Sequence, residues 1–474
     1  MSKAKMTFLA KEEVEKAHTT SLRILNEVGV VLHSENVTRM LLDAGARLSD
    51  DRKRVLIPES LVMSSLKSAK RPVLLAAADK KHDLRIPGGP RVYSACGGEG
   101  VYVKDLVTGD SRYATSDDLR NFTILVEETP QVDFWWGLVG ATEMPANLKY
   151  LAEVKIAFEH TTKHVQAMAS GAEEARRSIE MASIIAGGED ALSKRPVLSA
   201  CLCPISPLAF EGGLAEAQVE FAKAGIPVVA MAAAVAGLTA PVTLSGTIAQ
   251  VTAENLASMV ISQTACKGAP WIFSSDSSAG NLKTGSIDYR AFESLLLRAG
   301  MSQMGRYYGL PTMVAAAGLE SVAMSIGSIE EGVPYMVLHA LIDSDLGSGF
   351  GGIDQAAGAS YEQLLVDAWV WEAARLFVRE FDFDDSSISF ETIRDGAISN
   401  NFLNKRHTIT RFRKESSTTI VPEARLGGPS ENAVRGELIK TAWKKAKEIL
   451  AEPRRPLISK DQSEQMEEIM AKAK

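Results

Sequence analysis

Short apolar runs alternate with amphipathic stretches along the middle of the chain, at the spacing of repeated strand–helix units. The clearest unit begins at Ile226-Pro-Val-Val-Ala-Met-Ala-Ala-Ala234, a run of small apolar residues that reads as a fully buried strand. It continues through a Gly/Thr/Pro loop from Ala236 to Thr247 into Ile248–Gln263, which reads as a helix. The same logic predicts strands at Val132–Val139, His164–Met168, Pro196–Leu202, Pro227–Ala232, Pro270–Ser274, Thr312–Ala316 and Tyr335–Leu341. It predicts helices at Leu148–His160, Glu173–Ile185, Ala215–Ala224, Ala249–Ala265 and Phe292–Tyr307. An eighth strand falls either in the 90s or near Phe350–Asp354. Alternation of this kind gives parallel strands with right-handed crossovers. Repeated over roughly 240 residues, it favours a closed (β/α)8 TIM-type barrel over an open sheet. No GxGxxG follows an early strand, which argues against a dinucleotide-binding fold.

The flanks read differently. In residues 10–45, Val14, Ala17, His18, Leu22, Leu25 and Val28 share one helical face, and Gly29 is a stop signal. A second short helix begins at Ile57-Pro-Glu-Ser-Leu61. Val73–Ala77, His82–Ile86 and Gly100–Ala114 look like hairpin material, with a turn from Asp105 to Ser111. Past Tyr361 comes a long helix, Glu362–Phe381, broken by the acidic Phe381-Asp-Phe-Asp-Asp385. Charged helices follow at Glu437–Leu450 and Lys460–Lys474. The expected organisation is a helical and β-hairpin extension over 1–114, the barrel over 115–400 and a C-terminal helical extension over 401–474.

Composition removes several function classes. A net charge of −7 and the lack of a long basic run speak against nucleic acid and anionic membrane surfaces as partners. The longest apolar stretch, Val228–Ala236, is far too short to span a bilayer, and the N-terminus lacks the apolar core of a signal peptide. Cys96, Cys201, Cys203 and Cys266 are scattered among small or apolar residues, as free thiols in a reducing cytoplasm would be. Two thiols at Cys201 and Cys203 share one strand face, but no neighbouring Cys/His pattern completes a zinc set, so no resident metal is expected.

In a barrel the chemistry sits just after each strand. Those positions offer Glu143, Asp276 and Glu320 as carboxylates and His339 as a proton-handling or substrate-orienting group, either role competing with that of a hydrogen-bonded core histidine. The glycine-rich run Leu346–Gly358 contains Gly349, Gly351 and Gly352. It reads either as a plain connection or as a rim where backbone can approach a ligand or partner closely. Trp135 and Trp136 end a buried strand. With Tyr93, Trp271, Tyr289, Phe350 and Tyr361 they are candidates to cage a quaternary ammonium by cation–π attraction, or simply to pack.

Several segments together resemble the trimethylamine methyltransferase family, including its members that lack pyrrolysine. They are Leu119-Arg-Asn-Phe, Ala236-Gly-Leu-Thr-Ala-Pro-Val-Thr-Leu-Ser-Gly, Gly268-Ala-Pro-Trp-Ile, Gly305-Arg-Tyr-Tyr-Gly-Leu-Pro311, Val337-Leu-His-Ala and Ala359-Ser-Tyr-Glu-Gln-Leu. The resemblance implies a (β/α)8 barrel that moves a methyl group from an amine to the Co(I) of a separate small corrinoid protein, with no cofactor held tightly by the barrel itself. The family's trimethylamine branch carries pyrrolysine in a mouth loop. This chain uses only the twenty ordinary residues, and the corresponding position is expected within or just before Leu346–Gly358. A quaternary ammonium needs less activation than a protonated tertiary amine, because its leaving group departs as a neutral amine. The resemblance therefore implies glycine betaine, proline betaine or carnitine as the type of donor. Aromatic faces and a carboxylate (Glu143, Asp276 or Glu320) would offset the cation, and His339, Arg306 or a backbone amide would hold a betaine carboxylate. The rival expectations are a barrel lyase or hydrolase using Glu and His in proton transfer, and a non-catalytic betaine-binding or corrinoid-scaffolding barrel. A homo-oligomer is compatible with all three.

Overall fold

A computed structural model describes residues 5–88, 92–289, 291–317, 326–415 and 431–473; the side chains of 326–331 and 431–437 are outside the description. Eight parallel strands form the centre: β1 (Tyr93–Ser94), β2 (Trp135–Trp136), β3 (Val165–Ala167), β4 (Leu198–Cys201), β5 (Val228–Ala232), β6 (Trp271–Ser275), β7 (Thr312–Ala315) and β8 (Leu346–Ser348). Each pairs with the next in chain order from β2 to β8. β8 then returns to β1 in the register Leu346↔Tyr93. The last gap closes through the parallel bridge Ala95↔Phe134, with the Asp133 amide donating to the Ser94 carbonyl at 2.7 Å. Eight helices alternate with the strands: α1 (Ser116–Glu128), α2 (Lys149–His160), α3 (Ala172–Ala186), α4 (Gly212–Lys223), α5 (Leu244–Ala265), α6 (Phe292–Tyr307), α7 (Ile326–Leu341) and α8 (Tyr361–Arg375). The closed α/β barrel expected from the alternation is the architecture of the molecule.

Strand alternation sorts side chains into two layers. Tyr93, Phe134, Trp136, Cys201, Val229, Met231, Ile272, Met313 and Leu346 form one apolar cluster inside the barrel. Their neighbours Trp135, Val165, Leu198, Val228, Trp271 and Phe273 pack outward under the helices. The hairpin Val73–Leu75/Leu84–Ile86 belongs to the inner cluster and closes the floor. Its Ala76 carbonyl accepts from His164 Nδ1 at 2.7 Å, just before β3. Helices Lys11–Arg23 and Glu59–Ser68 pack on α5, whose residues Thr247–Gln263 are all buried. That double covering is why Ile248–Gln263 is apolar on every side.

The sequence expectations meet the structure unevenly. The helix Phe292–Tyr307 and six of the seven expected strands stand where the pattern puts them. Tyr335–Leu341 is the exception: it is the end of α7, not a strand. A short apolar run does not by itself separate a buried strand from a buried helix. Pro334, just before the expected strand, lies inside the helix. Two barrel strands therefore remain to be placed, and only the first of the two choices for the eighth strand holds, since the other choice, Phe350–Asp354, lies just beyond the strand found there. β1 lies in the 90s, and β8 occupies the first residues of the glycine-rich run taken as a loop. The barrel thus takes its first strand from residues 93–94, ahead of the division at 115.

Behind α8, residues 379–415 form a turn of helix at Asp385–Ile388 and the helices Phe390–Ser399 and Arg406–Glu415, with Gly396 their one buried residue. The C-terminal helix Glu431–Ala451 packs on α8 and α1, and Lys460–Ala471 packs on α3 and α2.

Candidate functional site

The carboxyl ends of the strands surround a cavity of about 50 Å³. Trp136, Met231, Asp276, Tyr289 and Ser348 line it together with the glycine backbone at residues 97, 98, 349 and 352. The glycines have a steric purpose here. Gly97 has φ 115°, and a Cβ on it would lie 2.2 Å from the Trp136 ring, so the backbone rests directly on the indole. A second, larger cavity of about 610 Å³ lies at the opposite end of the barrel, among Val92, Arg306, Asp345 and Arg375.

Unsatisfied polar atoms collect on the inner wall. Trp136 Nε1, both amide atoms of Gln166 and Ser274 Oγ are buried without a hydrogen-bond partner. Gln166 is the register partner of Trp136 across β2 and β3, and Ser274 is that of Met231 across β5 and β6. Buried polar groups are ordinarily paired. A set of free donors and acceptors along one wall is suited to a polar ligand.

Two charged poles flank the cavity. On one side Arg298 Nη2 donates to Asp276 Oδ1 at 3.1 Å, and Tyr289 Oη lies 3.5 Å from Asp276 Oδ2. The guanidinium lies over the rings of Tyr289 and Tyr335. Arg298 is only 2% exposed, and its Nε and Nη1 have no acceptor. A quarter of the Asp276 side chain stays open to the mouth. Burial raises its pKa, and the Arg298 charge and hydrogen bond pull it back.

On the other side, Lys149 Nζ sits 3.6 Å from Glu99 and 3.9 Å from Glu153, with Glu174 nearby. Glu153 Oε1 accepts from the Ala141 amide, and Glu174 Oε2 accepts from Ser170. Burial pushes Glu99 up to about 7, against the pull of Lys149. Glu153 is raised by burial and then by the Glu99 charge. Three carboxyl groups share one lysine, and burial holds Glu99 and Glu153 toward their neutral forms, so the charge of this pole depends on pH. The Cys201 thiol inside the barrel feels both Glu99 and Asp276, so both poles lie near the same lumen.

The residues expected from sequence divide accordingly. Trp136, Asp276, Gly349 and Gly352 meet at the mouth. Trp135 faces the helix layer, where its Nε1 donates to Thr123. Phe350 is buried beside Trp371, and Tyr361 stacks on Phe122 with its hydroxyl donating to Asp118. Gly351 packs against Leu138 and Leu364, and its amide donates to Asp367. Arg306 lines the cavity at the far end, away from the mouth. Glu143 is exposed and accepts from the Ser116 amide at the start of α1. His339 sits on α7 against the outer face of β8, where a Cβ on Gly347 would lie 2.3 Å from its Nε2. Both ring nitrogens are without partners, and burial lowers its pKa to about 3, so the ring is neutral. Glu320 lies outside the described residues. Among the described residues no group of three or more His, Cys, Asp and Glu is placed to hold a metal ion.

Arg298, Glu99, Glu153 and Gln166 were not anticipated. Arg298 carried a signal, being the lone charge between Glu293 and Arg306. Glu153 with Lys149 reads as an ordinary i,i+4 surface pair, and nothing in the sequence separates it from one.

Comparison with known proteins agrees with this architecture. The chain is 29% identical to trimethylamine methyltransferase MttB of Desulfitobacterium hafniense, over 86% of this chain and 82% of that protein. It is 26% identical to a glycine betaine methyltransferase of the same species, over 88% of this chain and 87% of that one. In fold it is similar to the crystal structure of monomethylamine methyltransferase from Methanosarcina barkeri, with a TM-score of 0.51 at 10% identity, covering 93% of this chain and 88% of the other. The family model for trimethylamine methyltransferase (MTTB) matches residues 2–474, and the chain belongs to that family.

Proposed function

We propose that this protein takes a methyl group from a quaternary ammonium compound of the betaine type and passes it to the Co(I) of a separate corrinoid protein, releasing a neutral tertiary amine. The observation that carries the reading is the mouth itself, with an indole face and Asp276 on the cavity wall and the carboxylate-rich Glu99 pole beside it. Taking ~10–15 Å³ for each water-sized group, the cavity has room for about four heavy atoms, the size of a trimethylammonium head. Such a cation is favoured by an aromatic face and by negative charge close by. Arg298, with two donors to spare, supplies the group that a betaine carboxylate needs, whereas Arg306 lines the far cavity and His339 lies behind β8.

The chemistry asks little else of the protein. A methyl on a fully substituted nitrogen leaves a neutral amine behind, so no general acid or covalent intermediate is required. The barrel holds N⁺–CH₃ outward and excludes water, and orientation supplies the rate. The methyl acceptor is a substrate carried in on its own protein, and the reaction is placed in the cytoplasm, where cobalt can be kept reduced. The deciding experiment mixes the purified chain with a reduced corrinoid protein and a panel of betaines and follows Co(I) to methyl-Co(III) by absorbance. Methylation with a betaine and none with trimethylamine is expected. Methylation with trimethylamine alone, or a product formed without any cobalt protein, overturns the reading.

A further inference from the structure

Two backbone lips meet over the mouth cavity. One runs through Gly97 and Gly98. The other is the turn 354–357, which joins the short strands Gly352–Ile353 and Gly358–Ser360 and puts Ala356 on the cavity wall. The lips are tied together. The Ala357 carbonyl accepts from the Val101 and Tyr102 amides at 2.9 and 3.1 Å, and Gly358–Ser360 pairs with Tyr102–Lys104 in parallel. A Cβ placed on Gly98 would stand 3.6 Å from the Ala356 Cβ, so at this point the lips are one carbon short of contact.

The turn is strained, and at an unexpected residue. Asp354, Gln355 and Ala356 have φ of 52°, 53° and 67°, three left-handed residues in succession. Residues with a Cβ visit that region singly, and mostly as Asn or Asp, whose side chains can hydrogen-bond locally. Asp354 fits that rule. Ala356 has neither glycine's freedom nor a polar side chain to bond back to the chain. Strain of this kind persists where the surroundings enforce it, and it gathers at ligand clamps. Here the paired strands on both sides of the turn enforce it. What a glycine would lack at this position is a methyl group, and that methyl meets Gly98 across the rim of the cavity.

We propose, on the reading of this cavity as an ammonium site, that Ala356 is a specificity-determining residue: its methyl sets the width of the mouth and so the size of the ammonium head that fits. Room for about four heavy atoms is that of a trimethylammonium head and no more. A nitrogen carrying ethyl groups needs a further carbon in each direction, against a lip that stands one carbon from Gly98.

Two substitutions separate width from strain. Ala356→Gly removes the methyl and relieves the left-handed backbone. Ala356→Asn relieves it too, because asparagine tolerates this region, but adds bulk. Titration calorimetry on the full chain, with no cobalt protein present, measures binding of glycine betaine and of its analogue with three N-ethyl groups. One methylene in a close-fitting pocket is worth about 10- to 200-fold, so the wild-type chain is expected to favour the trimethyl head by about tenfold or more. Ala356→Gly should cut that preference severalfold. Ala356→Asn should weaken both ligands, the triethyl one more. Neither substitution should lower the urea midpoint of unfolding. A preference that the glycine variant leaves unchanged overturns the proposal, as does tighter triethyl binding in the asparagine variant or a midpoint lowered by both substitutions. A chain that binds as expected yet never methylates Co(I) loses the methyl-transfer reading and keeps the role of Ala356. A chain that binds neither ligand loses both.

Discussion

Single side chains at the mouth carry separable duties. Trp136 lines the cavity, and the Gly97 backbone, which lines it too, rests against the indole. A cation–π contact contributes ~0.5–2 kcal/mol. Trp136→Leu, which keeps the bulk apolar, is expected to raise KM for the quaternary amine by about 2- to 30-fold, with kcat less affected; steady-state methylation of cobalt measures both. Glu99 gives the pH dependence its sign. Held up to about 7 by burial, it is protonated in acid and charged in base, so affinity for a cation should strengthen as pH rises through about 7. Glu99→Gln should flatten that profile in a binding titration. Its effect on stability runs the other way. The folded pKa lies above the ordinary 4.5, so folding binds a proton between 4.5 and about 7, and stability falls as pH rises across that window. Chemical denaturation of Glu99→Gln across that range should lack this falling limb. His339 works through packing alone. Its neutral ring fills the space against Gly347, so His339→Leu should leave turnover and its pH profile unchanged. Gly347→Ala should cost about 1–3 kcal/mol by overpacking, and less when His339 is also reduced to Ala, which a double-mutant cycle in urea would show.

At the scale of elements, the units with regular alternation were readable and the barrel's edges were not. β5 and α5 are legible because a buried parallel strand is a plain apolar run and a doubly covered helix is apolar throughout. β1 and β8 are two and three residues long and sit among glycines, too short for any period to declare itself. α7 was mistaken for a strand because its last turns, Tyr335–Leu341, are apolar with one histidine. That error moved His339 to the mouth on paper, whereas the helix holds it outside β8. Arg306 was displaced by direction, since the C-terminal end of α6 returns to the far end of the barrel. The functional poles were hidden for another reason. Lys149 and Glu153 are neighbours on α2, and only closure of the sheet brings Glu99, from the loop after β1, beside them. The terminal helix is a structural brace: Met466 and Ile469 are buried against the barrel helices, and Arg177 holds the carbonyls of Ile469 and Lys472. Deleting residues 457–474 removes two buried apolar side chains of ~1.5–3 kcal/mol each. A thermal melt should show the loss as a drop of several degrees with the fold retained.

For the molecule as a whole, the hairpin plugging the floor has a kinetic consequence. With Val73–Leu75 and Leu84–Ile86 packed into the barrel's base, the described residues leave the chamber to open at the carboxyl ends of the strands. The small donor, the spent amine and the bulky cobalt carrier must all pass the same threshold, so traffic is forced into sequence: the donor enters first, the carrier then stoppers the opening, and the spent amine waits until the carrier withdraws. Surplus carrier should therefore throttle turnover by jamming the doorway before the donor arrives, a slowdown that extra donor relieves.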